Sequence, residues 1–181
     1  MDQAVHLCMR IFLIGFMCSG KTVVGRSVAK ALGVPHVDLD RTIEGRVGPL
    51  QSWFLANGEE AFRRLEQEVL LESLELPKAV ISTGGGTPCW GDNLDRMLTA
   101  GKVIYLRVPE HILVPRIERK GLDRPLLMGL KGTALQSRVR ELMDERRSWY
   151  ERAPFHVTSV DEPAAVAEDI LRMLAHQDQD K

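Results

Sequence analysis

The chain has 181 residues, 44% of them hydrophobic, enough to bury one core but too few for two, so a single domain spanning 1–181 is expected. Basic and acidic residues nearly cancel at a formal net charge of -1, which argues against a nucleic acid or an anionic membrane as partner. The scattered Cys8, Cys18 and Cys89 form neither a disulfide framework nor a zinc pattern, and the early apolar run Ile11 to Ile14 is far too short for a membrane span or signal peptide. A soluble cytoplasmic protein is expected.

Met9 to Ile14 is rich in strand formers and ends in glycine; Lys21 to Leu32 then carries Val24, Val28 and Leu32 at helical spacing before Gly33 stops it. His36 to Leu39 reads as a second strand ending in acid, with a helix starting near Thr42. Glu59 to Leu76 reads as a helix with Phe62, Leu65 and Val69 inward. Ala79 to Thr83 and Lys102 to Leu106 are buried-strand candidates separated by a helix over Asp92 to Thr99. After Pro109 a helix begins in which Pro115 is expected to introduce a kink or an early stop. Thr133 to Glu151 is a long helix with Leu135, Val139, Leu142 and Met143 inward, Phe155 to Thr158 a last strand, and Pro163 to Leu174 a closing helix. The polar tail His176 to Lys181 is expected to fray. Alternating strands and helices imply a parallel sheet inside a three-layer α/β sandwich.

Gly15-Phe16-Met17-Cys18-Ser19-Gly20-Lys21-Thr22 matches the phosphate-binding pattern of glycine, four residues, glycine, lysine and a hydroxyl residue, in the strand-to-helix context it requires. Its amides and the helix N-terminus suit the phosphates of ATP, Lys21 the β and γ phosphates, and the Thr22 hydroxyl a magnesium ion. The strand before Gly84-Gly85-Gly86 supplies no second acid for magnesium, which leaves Asp38 and Asp40, turned to one side by strand alternation. Asp40 also suits a helix N-cap. Arg63 has Glu66 three residues on, either as a surface pair or as part of a pocket. Arg146 lies four residues from both Leu142 and Tyr150, so a cation falls on an inward face and calls for an anion. Gly84 to Gly86 either admit a ligand close to the backbone or form a flexible turn. Arg119 to Lys131 is basic and reads as a flap carrying Arg124, or as a surface loop without catalytic duty.

Together, GFMCSGKT at Gly15, DLD at Asp38, FRRLE at Phe62, TGGG at Thr83, RPLL at Arg124 and ERRSWY at Glu145 resemble the shikimate kinase family in order and approximate spacing, over most of the chain. The resemblance implies a P-loop, nucleoside-monophosphate-kinase-like fold and transfer of the ATP γ-phosphoryl group to the 3-hydroxyl of shikimate, with magnesium as metal. By matching position it implies that Asp40, Lys21 and Arg124 are catalytic. It places Gly15, Cys18, Ser19, Gly20, Lys21, Thr22, Val23, Arg119 and Arg124 around the nucleotide, with Arg119 stacking on adenine. Asp40, Arg63, Gly84, Gly85, Gly86 and Arg146 would hold shikimate, and Thr22 and Asp38 would serve magnesium. It further implies a substrate-binding subdomain over about 40–68, a lid over about 119–131, and a monomer. Two positions depart from the family pattern: Cys18 stands where glycine is usual and Val23 where a second hydroxyl is usual. Cys18 reads either as a reactive thiol beside a helix N-terminus or as a small buried filler. A gluconate-type kinase and a non-catalytic nucleotide-binding relative are the rival readings, the first disfavoured by Arg63 and Arg146 in FRRLE and ERRSWY, the second by intact Lys21, Asp40 and Arg124.

Overall fold

Five parallel strands, β1 (Met9–Ile14), β2 (His36–Asp38), β3 (Lys78–Ser82), β4 (Lys102–Arg107) and β5 (Phe155–Thr158), form one sheet in the order β2-β3-β1-β4-β5. This is a computed structural model that describes residues 9–120 and 125–179. The connecting helices are α1 (Lys21–Leu32), α2 (Leu39–Val47), α3 (Leu50–Ser73), α4 (Asn93–Ala100), α5 (Glu110–Lys120), α6 (Gly132–Tyr150) and α7 (Pro163–Gln179).

Both sheet faces are covered, and strand alternation assigns each side chain to one of them. From β1, Ile11 and Leu13 join Val24 and Val28 of α1 and Val166 and Ile170 of α7. Phe12 and Ile14 point the other way, toward Leu70 of α3, Leu113 of α5 and Leu135, Val139 and Leu142 of α6. The predicted three-layer sandwich is therefore the observed one. Because β1 is central, paired in parallel with β3 on one side and β4 on the other, the loop after β1 lies next to the loop after β3 at the C-terminal edge of the sheet. Ligands bind at that edge in open α/β sheets, where the connections diverge.

The boundaries differ from the expected ones in instructive places. Strand β2 ends at Asp38, whose side chain accepts a hydrogen bond from the Arg41 amide and caps α2, so the cap is Asp38 and not Asp40. Asp40 is consequently the second residue of a helix instead of part of a strand. The expected helix from Glu59 is the second half of α3, which begins at Leu50 and breaks at Gly58, where φ is 84°. Pro115 neither shortens nor interrupts α5, which continues to Lys120; only the bond to the carbonyl of residue 111 is lost with the missing N–H. At the C-terminus, α7 extends to Gln179, beyond the expected fraying point.

One side-chain link ties the edge strand to the centre. Ser82 Oγ donates its single hydrogen to the Lys21 carbonyl at 2.9 Å, so the contact of His36 Nε2 with Ser82 Oγ at 3.0 Å requires the Nε2–H tautomer. Burial holds the His36 imidazole below its ordinary value, Arg26 and Arg41 add to that, and Asp38 opposes it. A depressed folded value favours the native state above the unfolded imidazole value near 6.5, and that contribution is lost as pH falls through the folded value. Urea unfolding is therefore expected to show a lower midpoint at about pH 5.5 than at about pH 7.5, with a smaller difference in His36→Gln. An unchanged pH dependence in the variant would contradict the assignment.

Candidate active site

The loop between β1 and α1 folds over the end of its own strand. Gly15 has φ 138°, and a Cβ there would stand 2.7 Å from the Leu106 carbonyl oxygen, so neither backbone angle nor space admits a larger residue. Gly20 caps α1 without a side-chain hydrogen bond, so the positive end of the helix that opens there is suited to an anion. Lys21 is buried, and its Nζ donates to the carbonyls of Gly15 at 2.8 Å and Phe16 at 2.7 Å. Ser159 Oγ supports the loop from behind through the Ser19 carbonyl at 2.8 Å. Thr22 Oγ1 donates to Asp38 Oδ2 at 2.5 Å, bringing together two hard oxygen donors from separate elements.

A cavity of about 600 Å³ opens beside this loop and collects Thr22, Val23, Asp38, Asp40, Arg63, Gly84 to Gly86 and Arg146. The three glycines are its floor. A Cβ on Gly86 would overlap the Arg63 guanidinium, one on Gly84 would overlap Glu66 Oε1 and lie 2.9 Å from Asp40 Oδ1, and one on Gly85 would lie 3.4 Å from Arg146 Nη1. The glycine run thus permits close packing of charged groups that any side chain would displace. Phe54 and Phe62, edge to face at 5.6 Å between centroids, contribute apolar wall.

The two cationic side chains differ in their partners. Arg63 is 7% exposed, paired through Nη1 with Glu66 and through Nη2 with Glu59 Oε1 at 3.1 Å, so the surface-pair reading does not hold. Burial works against the Arg63 charge, but Glu66 and Glu59 outweigh it and the net direction is upward. Glu66, 1% exposed, is pushed above the usual carboxylate range by burial, opposed by Arg63, with Asp40 adding to the rise. Arg146 is equally buried, lies over the Phe16 ring at 5.6 Å, and pairs with no carboxylate among the described residues. Tyr150, one turn on, donates to the Gly85 carbonyl at 2.5 Å; burial raises its hydroxyl well above the ordinary value, keeping it a donor.

A second cavity of about 650 Å³ lies on the other side of the loop, lined by Cys18, Gly20, Val23, Arg116, Arg119 and the segment from Ser159 to Pro163. Arg116 donates to the Ser159 carbonyl at 3.1 Å and so fixes that wall. The two chambers share Val23 and Lys120 and between them take the predicted residues except Gly15, Ser19 and Lys21, which line neither, and Arg124. Arg124 lies outside the described residues. Glu66 entered the sequence reading only as a partner for Arg63; Thr87 and the hydroxyl of Tyr150 did not enter it as site groups, since a threonine after a glycine run and a tyrosine on an inward helix face carry no spacing signal.

A family model for shikimate kinase matches residues 17–175. The chain belongs to the shikimate kinase family. It is 41% identical over 145 residues to the shikimate kinase of Parabacteroides distasonis, an alignment covering 80% of this chain and 84% of the relative. A 1.7 Å crystal structure of shikimate kinase from Bacteroides thetaiotaomicron superposes with a TM-score of 0.85 at 33% identity, covering 92% of this chain and 98% of the other. Shikimate kinase from Acinetobacter baumannii in complex with shikimate gives a TM-score of 0.86 at 30% identity, over 93% of this chain and 94% of the other. Members of the shikimate kinase family are ATP-dependent phosphotransferases with an alcohol group as acceptor. No helix of the described residues is long and apolar enough to cross a membrane.

Within this shikimate kinase family loop, Cys18 is the single non-glycine residue at positive φ among the described residues, at 61°. An L-residue there costs on the order of 1 kcal/mol, and more if its side chain is β-branched. Cys18→Gly is expected to match or exceed the parent in urea unfolding, while Cys18→Val loses about 1 kcal/mol or more. A valine variant more stable than the glycine variant would contradict the strained conformation.

Proposed function

We propose that this chain is a shikimate kinase, transferring the γ-phosphoryl group of ATP to the 3-hydroxyl of shikimate to give shikimate 3-phosphate and ADP on the route to chorismate and the aromatic amino acids. The carrying observation is Arg146: a buried guanidinium that faces a cavity and has no carboxylate partner among the described residues, with Arg63 across the same glycine floor. Two such forks suit the two oxygens of a substrate carboxylate. The ring then lies over Gly84 to Gly86 against Phe54 and Phe62, with its hydroxyls toward Asp40 and the phosphate loop.

Nucleotide phosphates on the loop would replace the carbonyl contacts of Lys21, and the base would enter the second cavity near Arg119. Attack of the 3-hydroxyl oxygen forms the new O–P bond as the bond from the γ phosphorus to the β,γ-bridging oxygen breaks, and ADP carries away that electron pair. The hydroxyl proton passes to Asp40, directly or through water. Lys21 offsets charge on the transferred group, and Arg124 is assigned the same duty from the sequence. Phosphoryl transfer needs mainly such positioning and preorganised charge. Thr22 and Asp38 fit magnesium, because both present oxygens at the loop and the ion takes most of its remaining ligands from phosphate and water. Among the described residues no three His, Cys, Asp or Glu gather to hold a metal unaided, which accords with that sharing. When bound, the ion supplies electrostatic neutralisation of the phosphates. We place the protein in the cytoplasm as a monomer, with a mobile substrate-binding segment over about 40–68 and a lid over about 119–131.

ADP release with shikimate, gluconate or no acceptor tests this reading. Turnover is expected with shikimate alone, and Asp40→Ala is expected to lower kcat by about 10²- to 10⁴-fold with little change in ATP KM. Activity on gluconate of the same size, or an unaffected Asp40→Ala enzyme, would contradict it.

A further inference from the structure

We propose that Thr87 is a positioning residue for the Arg63 guanidinium, acting through Glu66, and that Asn93 and Gln67 hold Thr87 in place. This rests on the reading of the cavity as a shikimate site, since it assigns a role in holding that substrate's carboxylate.

Thr87 begins a short 3₁₀ turn over Thr87–Cys89, directly after the glycine floor, and is fully buried. Its Oγ1 donates to Glu66 Oε1 at 2.7 Å, while Glu66 Oε2 receives Nη1 of Arg63. One carboxylate oxygen is therefore fixed by the turn and the other fixes the guanidinium. Without the threonine donor, rotation of the Glu66 carboxylate would be restrained on one side only, and Nη1 of Arg63 would shift with it while Glu59, from its more exposed position, keeps hold of Nη2 alone. The threonine is itself held from behind: Asn93 Nδ2 donates to the Thr87 carbonyl at 2.9 Å, and Gln67 Nε2 donates to Asn93 Oδ1 at 3.0 Å and to Asp92 Oδ1 at 3.3 Å. Asn93 is also fully buried, so neither of its amide bonds is exchanged for water at no cost. The relay starts and ends on α3, one residue apart, because Gln67 follows Glu66; it passes through the start of α4 and the turn after β3. The same turn lays Gly86 against the Arg63 guanidinium. A substrate carboxylate needs the fork in one orientation, and the turn sets it from both sides.

The test uses the full chain with shikimate and MgATP. Thr87→Val keeps the shape and removes the donor; Thr87→Ser restores it. Thr87→Val is expected to raise shikimate KM about tenfold or more, the range for a lost hydrogen bond to a charged group, with ATP KM within about twofold. Thr87→Ser is expected to stay near the parent, and Gln67→Ala to raise shikimate KM about twofold to threefold. Equal rises in both KM values, or no rise in shikimate KM, would overturn the relay while shikimate turnover by the parent leaves the proposed function intact. Absence of shikimate turnover by the parent would instead remove the function itself. If circular dichroism shows that Thr87→Val does not fold, Gln67→Ala decides, and an unchanged shikimate KM there overturns the proposal.

Discussion

Two buried guanidiniums facing one cavity, of which Arg63 is paired with the fully buried Glu66 and Arg146 with no carboxylate among the described residues, are the constraint on which the site depends. An exposed ion pair contributes about 0–1 kcal/mol, whereas removing one partner of a buried pair costs about 3–5 kcal/mol because the remaining charge is stranded. Glu66 is engaged by Arg63 and Thr87, so Arg146 is left with aromatic and hydroxyl neighbours and a cavity. That arrangement is costly for an empty fold and favourable for one that takes an anion. The parallel sheet makes it possible: β3 delivers the glycine floor beside the phosphate loop of β1, and α3 and α6 bring the arginines over it from the same face.

The glycines and the charges are one device. A side chain at Gly84 would displace Glu66, one at Gly86 would displace Arg63, and Gly85 lies between Arg146 and the loop, 3.2 Å from the Met17 amide nitrogen as measured from a built Cβ. Close approach, more than flexibility, is what those positions supply. On the loop itself Gly15 has no alternative, while Cys18 takes a left-handed conformation at some strain, the one non-glycine residue at positive φ among the described residues.

The sequence conveyed the layers and the parallel sheet well, because apolar runs bounded by glycine and helical stripes bounded by caps are local signals; the order of the strands, set by long-range pairing, came only from the structure. It also conveyed the phosphate loop, whose spacing is itself the chemistry. What it did not convey is burial. Arg63 and Arg64 are neighbours on one helix, each with a glutamate three or four residues away, yet the Arg64 pair with Glu60 is solvated and the Arg63 pair with Glu66 is enclosed. Only the packing of α3 against the turn after β3 separates them. Asp40 suits an N-cap on the sequence, but Asp38 takes that place because β2 ends one residue before the strand pattern of His36 to Leu39 does, and Leu39 is buried from a helix instead of a strand. Thr87 was invisible because a hydrogen bond to a residue 21 positions earlier leaves no periodic trace.

If the enclosed arginines exist to receive a carboxylate, neutralising that carboxylate should remove most of the affinity. Titration calorimetry of the protein with shikimate and with its methyl ester measures this directly. Binding weaker by about 2–5 kcal/mol for the ester is expected, since one guanidinium fork then faces a neutral group in a buried site. Equal affinity for acid and ester would contradict the account.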